Sequence, residues 1–152
     1  MASRALTIAV DGRELLGHPT GVGRYTTEIL RVWAALPAFP HAIRVVLPGA
    51  PQPGLDFGPR VTFHVEAGPA AGTWWEQTAL PRAVKGLGAD VLFSPGYTAP
   101  LRTGCPVVLA VHDVSFFAHP EWFSWREGLR RRCLTRWSAR RAAAVVTISN
   151  FS

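Results

Sequence analysis

The sequence has few cysteines and no long apolar run, and each lack excludes a class of protein. Cys105 and Cys133 are too few and too far apart in the chain for a disulfide framework or a metal-ligand set. No apolar stretch reaches the roughly 18 residues of a membrane span, and residues 1–10 lack the pattern of a secretory signal. We therefore expect reduced thiols and a cytoplasmic protein, with peripheral contact at the inner face of a membrane as its closest approach to lipid.

Acidic residues are scarce in one part of the chain. The protein has 16 Lys and Arg residues against 10 Asp and Glu residues, a formal net charge of +6. Residues 126–141 contain seven arginines and one acid, Glu127, whereas the rest of the chain carries nine basic and nine acidic residues. The excess charge thus belongs to a single segment with interleaved apolar residues. This pattern excludes a protein that is basic all over, and we predict no nucleic-acid partner.

The length of 152 residues and the 48% hydrophobic content suit one domain with a substantial core. Short β-branched or apolar runs alternate with longer helical stretches, an order typical of a parallel sheet covered by helices. We therefore predict an α/β fold, a Rossmann-like three-layer α/β/α domain with a mainly parallel sheet of about six strands. The predicted strands are 6–10, 43–47, 61–65, 91–93, 107–111 and 144–148, and the main predicted helices are 21–36, 73–86 and 124–142.

The third predicted helix carries the excess charge. Ser124 and Glu127 have the spacing of a capping box. Four of the arginines fall among apolar residues rather than opposite them: Arg130, Arg136, Arg140 and Arg141 among Trp125, Leu129, Cys133 and Trp137. We favour a helix partly buried in the domain, with arginine stems along apolar surface and charged ends in water. Contact of residues 126–141 with an anionic membrane surface, or with a phosphorylated acceptor, is the alternative.

A glycine-bearing loop follows the first predicted strand and leads into a helix. Backbone N–H groups at a helix start suit a phosphate, and Gly21 and Gly23 would let it approach the main chain. The segment has neither the dinucleotide fingerprint nor a P-loop. Taken alone, such glycines are also typical of a turn with a helix cap.

Three further groups of candidate residues lie near the predicted carboxyl ends of strands, where open parallel sheets bind ligands. His112 and Asp113 follow the fifth strand and suit acid–base or hydrogen-bonding chemistry, although a structural histidine has the same pattern. Tyr97 follows the fourth strand and offers a flat ring that stacks on sugars. Glu76 and Gln77 follow two adjacent tryptophans, of which at least one should cover the core, and a structural role for Glu76 is the alternative. The remaining histidines do not have the spacing of a metal site.

Five motifs in order give the chain a resemblance to a known family. They are V-D-G-R-E-L with T-G-V-G-R-Y (10–25), W-E-Q-T-A-L-P (75–81), D-V-L-F-S-P-G-Y (90–97), V-V-L-A-V-H-D-V-S-F (107–116) and A-A-A-V-V-T-I-S-N-F-S (142–152). Together they resemble the N-terminal, acceptor-side domain of glycosyltransferase family 4, retaining enzymes of the two-domain GT-B fold, in the mannosyltransferase-like branch.

The resemblance implies a role for each candidate residue. Gly21 and Gly23 would approach the donor diphosphate with Arg24 nearby, whereas His112, supported by Asp113, would face the transferred sugar. Tyr97, Glu76 and Gln77 would line the acceptor side. Family members use a nucleotide sugar as donor and no metal or other cofactor at the active site, and they commonly serve polysaccharide or lipid-linked oligosaccharide assembly.

The resemblance covers one half of such an enzyme. We therefore expect residues 1–152 to form a single domain that needs a C-terminal nucleotide-sugar domain, in the same chain or in a partner, and to be inactive alone. A non-catalytic interaction module or one subunit of a split transferase is an alternative. A stand-alone nucleotide binder is a third, disfavoured because the glycine loop lacks the dinucleotide pattern.

Overall fold

A computed structural model describes residues 4–18, 20–68 and 72–148, and a sheet of six parallel strands lies at its centre. The order across the sheet is β3-β2-β1-β4-β5-β6. This confirms the predicted Rossmann-like three-layer α/β fold, and the predicted strand ends differ from the observed ones by at most one residue. The strands are β1 (Thr7–Asp11), β2 (Ala42–Leu47), β3 (Val61–Val65), β4 (Val91–Ser94), β5 (Val107–Val111) and β6 (Ala144–Thr147).

Helices cover both faces of the sheet because alternate side chains of each strand point to opposite sides. Ile8 and Val10 pack with Leu30 of α1 on one face, whereas Ala9 packs with Trp75 of α2 on the other. The helices are α1 (Gly21–Ala35), α2 (Thr73–Gly86), α3 (Ser115–Ala118) and α4 (Trp125–Arg141). The three long helices were predicted, but α3 and two short 3-10 turns, Arg13–Leu15 and Pro120–Trp122, were not.

The start of α2 separates the two adjacent tryptophans as predicted. Trp75 is fully buried, and its Nε1 donates to the Glu66 carbonyl oxygen at 2.7 Å. Trp74 is exposed. Neighbouring positions on a helix point about 100° apart, so only one of the two side chains faces the sheet.

Helix α4 sits on the domain by a side that the sequence analysis did not identify. Its buried residues are the small Gly128, Thr135 and Ser138, and Ser138 Oγ both donates to the Ala99 carbonyl oxygen at 3.2 Å and accepts from the Ala99 N–H at 3.0 Å. Trp125 and Trp137 are exposed. The favoured picture of a partly buried helix is therefore correct only for its small-residue side, because the mixed tryptophan and arginine side faces outward.

The ends of the helices follow local chemistry. Thr20 Oγ1 accepts from the Gly23 N–H at 2.9 Å and caps α1, and Ser124 Oγ accepts from the Glu127 N–H at 3.4 Å at the start of α4. Ser149, which its residue type and position after the last strand suggest as a helix N-cap, lies outside the described residues. Over the described ranges, no helix is both long and apolar enough to cross a membrane.

Candidate functional site

A cleft of about 440 Å³ opens at the carboxyl edge of the sheet. The start of α1, the start of α2, the loop after β4 and the middle of α4 form its walls, as expected for a ligand site on an open parallel sheet. Three of the predicted site residues, Gly21, Glu76 and Tyr97, lie on these walls. The other polar lining residues are Arg13, Glu14, Thr20, Thr73, Thr98, Arg130, Arg131 and Thr135.

Arg13 is a central residue of the cleft, and sequence reasoning gave it no role. Its Nη2 lies 2.8 Å from Asp11 Oδ2 and 3.3 Å from Glu76 Oε1, and its Nε donates to both Asp11 oxygens. The guanidinium also lies 5.9 Å from the centre of the Trp75 ring. Burial opposes the charge of Arg13, but the two carboxylates outweigh it and raise the pKa of Arg13 above its ordinary value. Arg13 therefore joins the loop after β1 to the start of α2.

Glu76 is a buried carboxylate that faces the cleft. It is 1% exposed, and its Oε1 receives no hydrogen bond from the described residues even though Arg13 lies within ion-pair distance. Burial is the largest influence on its pKa and raises it, although Arg13 and the hydroxyl of Thr98 act in the opposite direction. A buried carboxylate is costly unless a cation compensates it, and the Arg13 guanidinium, 3.3 Å from Oε1, supplies that compensation.

Tyr97 connects the cleft to the pair His112 and Asp113. Its hydroxyl donates to Asp113 Oδ2 at 3.0 Å, and burial together with this carboxylate raises the pKa of Tyr97 to about 12. Its backbone φ of 62° lies in the left-handed region, which is uncommon for a residue other than glycine. Asp113 also accepts from the N–H and Oγ of Ser115, and these bonds lower its pKa. A strained backbone held by such bonds is common at functional sites.

His112 lies beside the cleft rather than in its lining. Its ring is half-buried and makes edge contacts with Tyr25 and Tyr97, with ring centres 4.7 Å and 5.4 Å away. Its Nε2 lies 2.6 Å from the Pro95 carbonyl oxygen. Since a carbonyl only accepts, Nε2 carries the proton in this bond, which fixes the orientation of the ring. The structure thus brings His112, Asp113 and Tyr97 together.

The three residues predicted to hold the donor phosphate have different surroundings. Gly21 is exposed, and a Cβ built on it would meet nothing within 4 Å, so the backbone there is open to a ligand. A Cβ on Gly23 would lie 2.4 Å from the Glu14 carbonyl oxygen. The N–H of Gly23 is already bonded to Thr20. Arg24 is exposed and does not line the cleft. Phosphate binding by Gly23 and Arg24 remains a prediction.

The side chain of Gln77 forms hydrogen bonds outside the cleft. Its Nε2 donates to the Ala99 carbonyl oxygen at 3.2 Å, and its Oε1 accepts from the Leu101 N–H at 2.9 Å. Both polar groups of the side chain therefore hold the loop after β4. Its acceptor role stays a prediction.

Two arginines of α4 are cleft residues that the sequence analysis assigned only to a charged segment. Arg130 Nη1 donates to Thr73 Oγ1 at 3.1 Å, and Arg131 pairs with Glu127 at 2.7 Å. The concentration of arginines was visible in the sequence, but which of them face the cleft depends on the side by which α4 packs. Within the described ranges, no three His, Cys, Asp or Glu side chains gather as a candidate metal site.

The cleft combines groups that suit a hydroxyl-bearing ligand with a negative charge. Glu76 accepts hydrogen bonds, Arg130 and Arg131 provide positive charge, and the start of α1 provides backbone N–H groups at Gly21.

No match was found among curated proteins. The family model described as Glycosyltransferase Family 4 matches residues 19–152, most of the chain and all of the cleft except the segment of Arg13 and Glu14. The chain belongs to glycosyltransferase family 4.

Proposed function

We propose that this domain is the acceptor-side half of a retaining GT-B glycosyltransferase. It would act on a hexose, with mannose as the first sugar to test, carried by a nucleotide sugar and transferred to a glycan or lipid-linked acceptor. Family membership supports glycosyl transfer in general. The observation that carries the acceptor-side assignment is the Glu76 carboxylate in the lining of the cleft, where Arg13 compensates its charge.

Glu76 fits an acceptor hydroxyl better than an anionic group. A hydroxyl donates to a carboxylate in a strong, short hydrogen bond, and such a bond would add no further negative charge beside Glu76. Arg13 holds the carboxylate in place through its contacts with Glu76 and Asp11. Tyr97 forms part of the opposite wall, where its ring suits the face of a sugar. The acceptor would therefore lie between α2 and the loop after β4.

The donor would approach from the side of Gly21 and His112. Retaining transfer breaks the bond from the sugar to the phosphate and forms a bond to the acceptor oxygen on the same face of the sugar, so the charge of the leaving phosphate must be stabilised. His112, oriented by Pro95, is proposed to contact the transferred sugar. A nucleotide-sugar domain, in the same polypeptide or in a partner, would supply the remaining phosphate contacts, and no metal is required in this scheme.

Replacement of Glu76 tests this proposal in the enzyme that combines the domain with a nucleotide-sugar domain. Glu76→Gln retains the size of the side chain but weakens its hydrogen bond to a hydroxyl. We expect transfer from GDP-mannose to octyl α-mannoside to show an acceptor KM raised roughly tenfold or more, about 1.4 kcal/mol, and a donor KM that changes little.

Glu28→Gln is the matched control because Glu28 is an exposed glutamate of α1 that pairs only with Arg31 among the described residues. Equal acceptor KM values for Glu76→Gln and Glu28→Gln would contradict the acceptor assignment.

A further inference from the structure

The outward side of α4 is unusual for a domain surface. Trp125 is 71% exposed, Trp137 is 50% exposed and Leu129 is 46% exposed. At 100° per residue these side chains lie within about 120° of one another on the helix. The opposite side of α4 buries Gly128, Thr135 and Ser138 instead. Large apolar side chains exposed together on one side of a helix are typical of an interaction site.

Arginines are interleaved with these apolar residues. Arg126, Arg136 and Arg140 fall in the same arc, all three are exposed, and none forms a salt bridge with a carboxylate among the described residues. Glu127, the only acid of the helix, lies on the other side and pairs with Arg131. We call these six residues, Trp125, Arg126, Leu129, Arg136, Trp137 and Arg140, the Trp/Arg face. Its partner must accept apolar side chains and carry negative charge.

We propose that the Trp/Arg face docks on a bilayer that contains anionic phospholipid. Tryptophan and arginine both place an apolar body in the acyl boundary and a polar end among headgroups. Uncompensated arginines then add attraction to anionic lipid. Contact with the backbone of a nucleic-acid duplex would use the arginines but leave Trp125, Leu129 and Trp137 in water. Stacking on single-stranded bases would use the tryptophans but leave Leu129 in water, whereas lipid accommodates all of these side chains.

A groove lies beside the Trp/Arg face, because its lining residue Cys133 is one helical turn from both Leu129 and Trp137. The groove lies between the start of α2 and α4, where Trp74 and Cys133 line it, and it shares Thr73, Arg130 and Leu134 with the cleft. Trp74 is itself 71% exposed. A lipid-linked acceptor held in the bilayer would therefore reach Glu76 along this groove. This last step rests on the proposed function, whereas docking of the Trp/Arg face on lipid does not.

Vesicle binding by the 152-residue chain tests the docking without any transfer assay. The chain should co-sediment with phosphatidylglycerol-containing vesicles and much less with phosphatidylcholine vesicles, and added salt should weaken the binding. The triple variant Arg126→Gln, Arg136→Gln, Arg140→Gln should bind roughly 100-fold more weakly, since each basic side chain near an anionic surface contributes about fivefold. Trp125→Ser with Trp137→Ser should also reduce binding and should lower the quenching of tryptophan fluorescence by brominated lipid.

A matched control removes three arginines elsewhere. Arg4, Arg31 and Arg102 are exposed and lie outside α4, so their replacement by Gln lowers the net charge equally but should leave vesicle binding within about twofold. Circular dichroism melting verifies that each variant folds. Equal losses in the two triple variants, equal binding to neutral vesicles, or tighter binding to duplex DNA or to RNA than to anionic vesicles would each overturn the proposal. Failure of lipid docking would leave the role of Glu76 in the cleft unaffected.

Discussion

Arg13 and Glu76 show how single residues define the cleft. The two residues are far apart in the chain, yet Arg13 compensates the buried Glu76 and Asp11 together. The sequence analysis singled out Glu76 but gave Arg13 no role, although a carboxylate in a predicted core helix requires a cation or a proton. Nothing in the spacing identifies which of 16 basic residues supplies it. Pairing across two loops is a tertiary property.

The buried state of Glu76 has a consequence for stability as a function of pH. Burial raises the pKa of Glu76 above its ordinary value of 4.5. The folded state then holds the proton of the Glu76 carboxyl more tightly than the unfolded chain does. The stabilisation linked to Glu76 is therefore complete below pH 4.5, the ordinary pKa, and is lost as the pH rises through the pKa of Glu76 in the folded protein. Glu76→Gln resembles the protonated form. We expect the melting temperature of Glu76→Gln, relative to the natural chain, to increase between pH 4 and pH 7.

Glu66→Gln is a control for which the melting temperature should depend on pH in the opposite direction. Its hydrogen bonds from Arg82 and then His64 lower the pKa of Glu66, so stabilisation by this carboxylate is present above its ordinary value of 4.5 and is lost on acidification. The relative melting temperature of Glu66→Gln should therefore fall as the pH rises. A flat or falling difference for Glu76→Gln would show that Glu76 is not desolvated in the folded protein.

At the scale of elements, the inner strands were the most predictable, because a run such as Val107–Val111 is apolar throughout and almost entirely buried. The side by which α4 packs on the domain was not predictable. A hydrophobic pattern predicts that Trp125 and Trp137 face the core, but Gly128 and Ser138 do so instead because Ser138 satisfies the buried backbone of Ala99. Hydrogen bonding between a helix and a distant loop leaves no local signal in the sequence.

The contact between α1 and the preceding 3-10 turn gives a prediction with an internal control. A methyl group on Gly23 would lie 2.4 Å from the Glu14 carbonyl oxygen, and this backbone atom cannot move away as a flexible side chain would. We expect Gly23→Ala to lower the free energy of unfolding by about 1–3 kcal/mol. Gly21→Ala, where space is open, should leave it unchanged or raise it by up to about 1 kcal/mol. Chemical denaturation of both variants measures the difference, and equal stabilities would contradict this packing.

At the scale of the whole molecule, two surfaces of different character lie side by side. In the cleft at the edge of the sheet, Arg13 is paired with both Asp11 and Glu76. The net charge of +6 comes instead from the segment that forms α4. Arg130 and Leu134 line both the cleft and the groove beside the Trp/Arg face. The arginine-rich helix α4 therefore forms one border of the proposed acceptor site.

This domain is proposed to contribute one half of a glycosyltransferase active site. The most direct test measures hexose transfer from a nucleotide sugar by three proteins: the 152-residue chain alone, the enzyme that combines it with a nucleotide-sugar domain, and the combined enzyme with His112→Ala. We predict no transfer by the chain alone and transfer by the combined enzyme. His112→Ala should reduce the turnover of the combined enzyme by about 10²-fold or more, with a melting temperature close to that of the unsubstituted enzyme. Transfer by the chain alone would show that no second domain is needed for activity. Unchanged turnover in His112→Ala would show that His112 does not act on the transferred sugar.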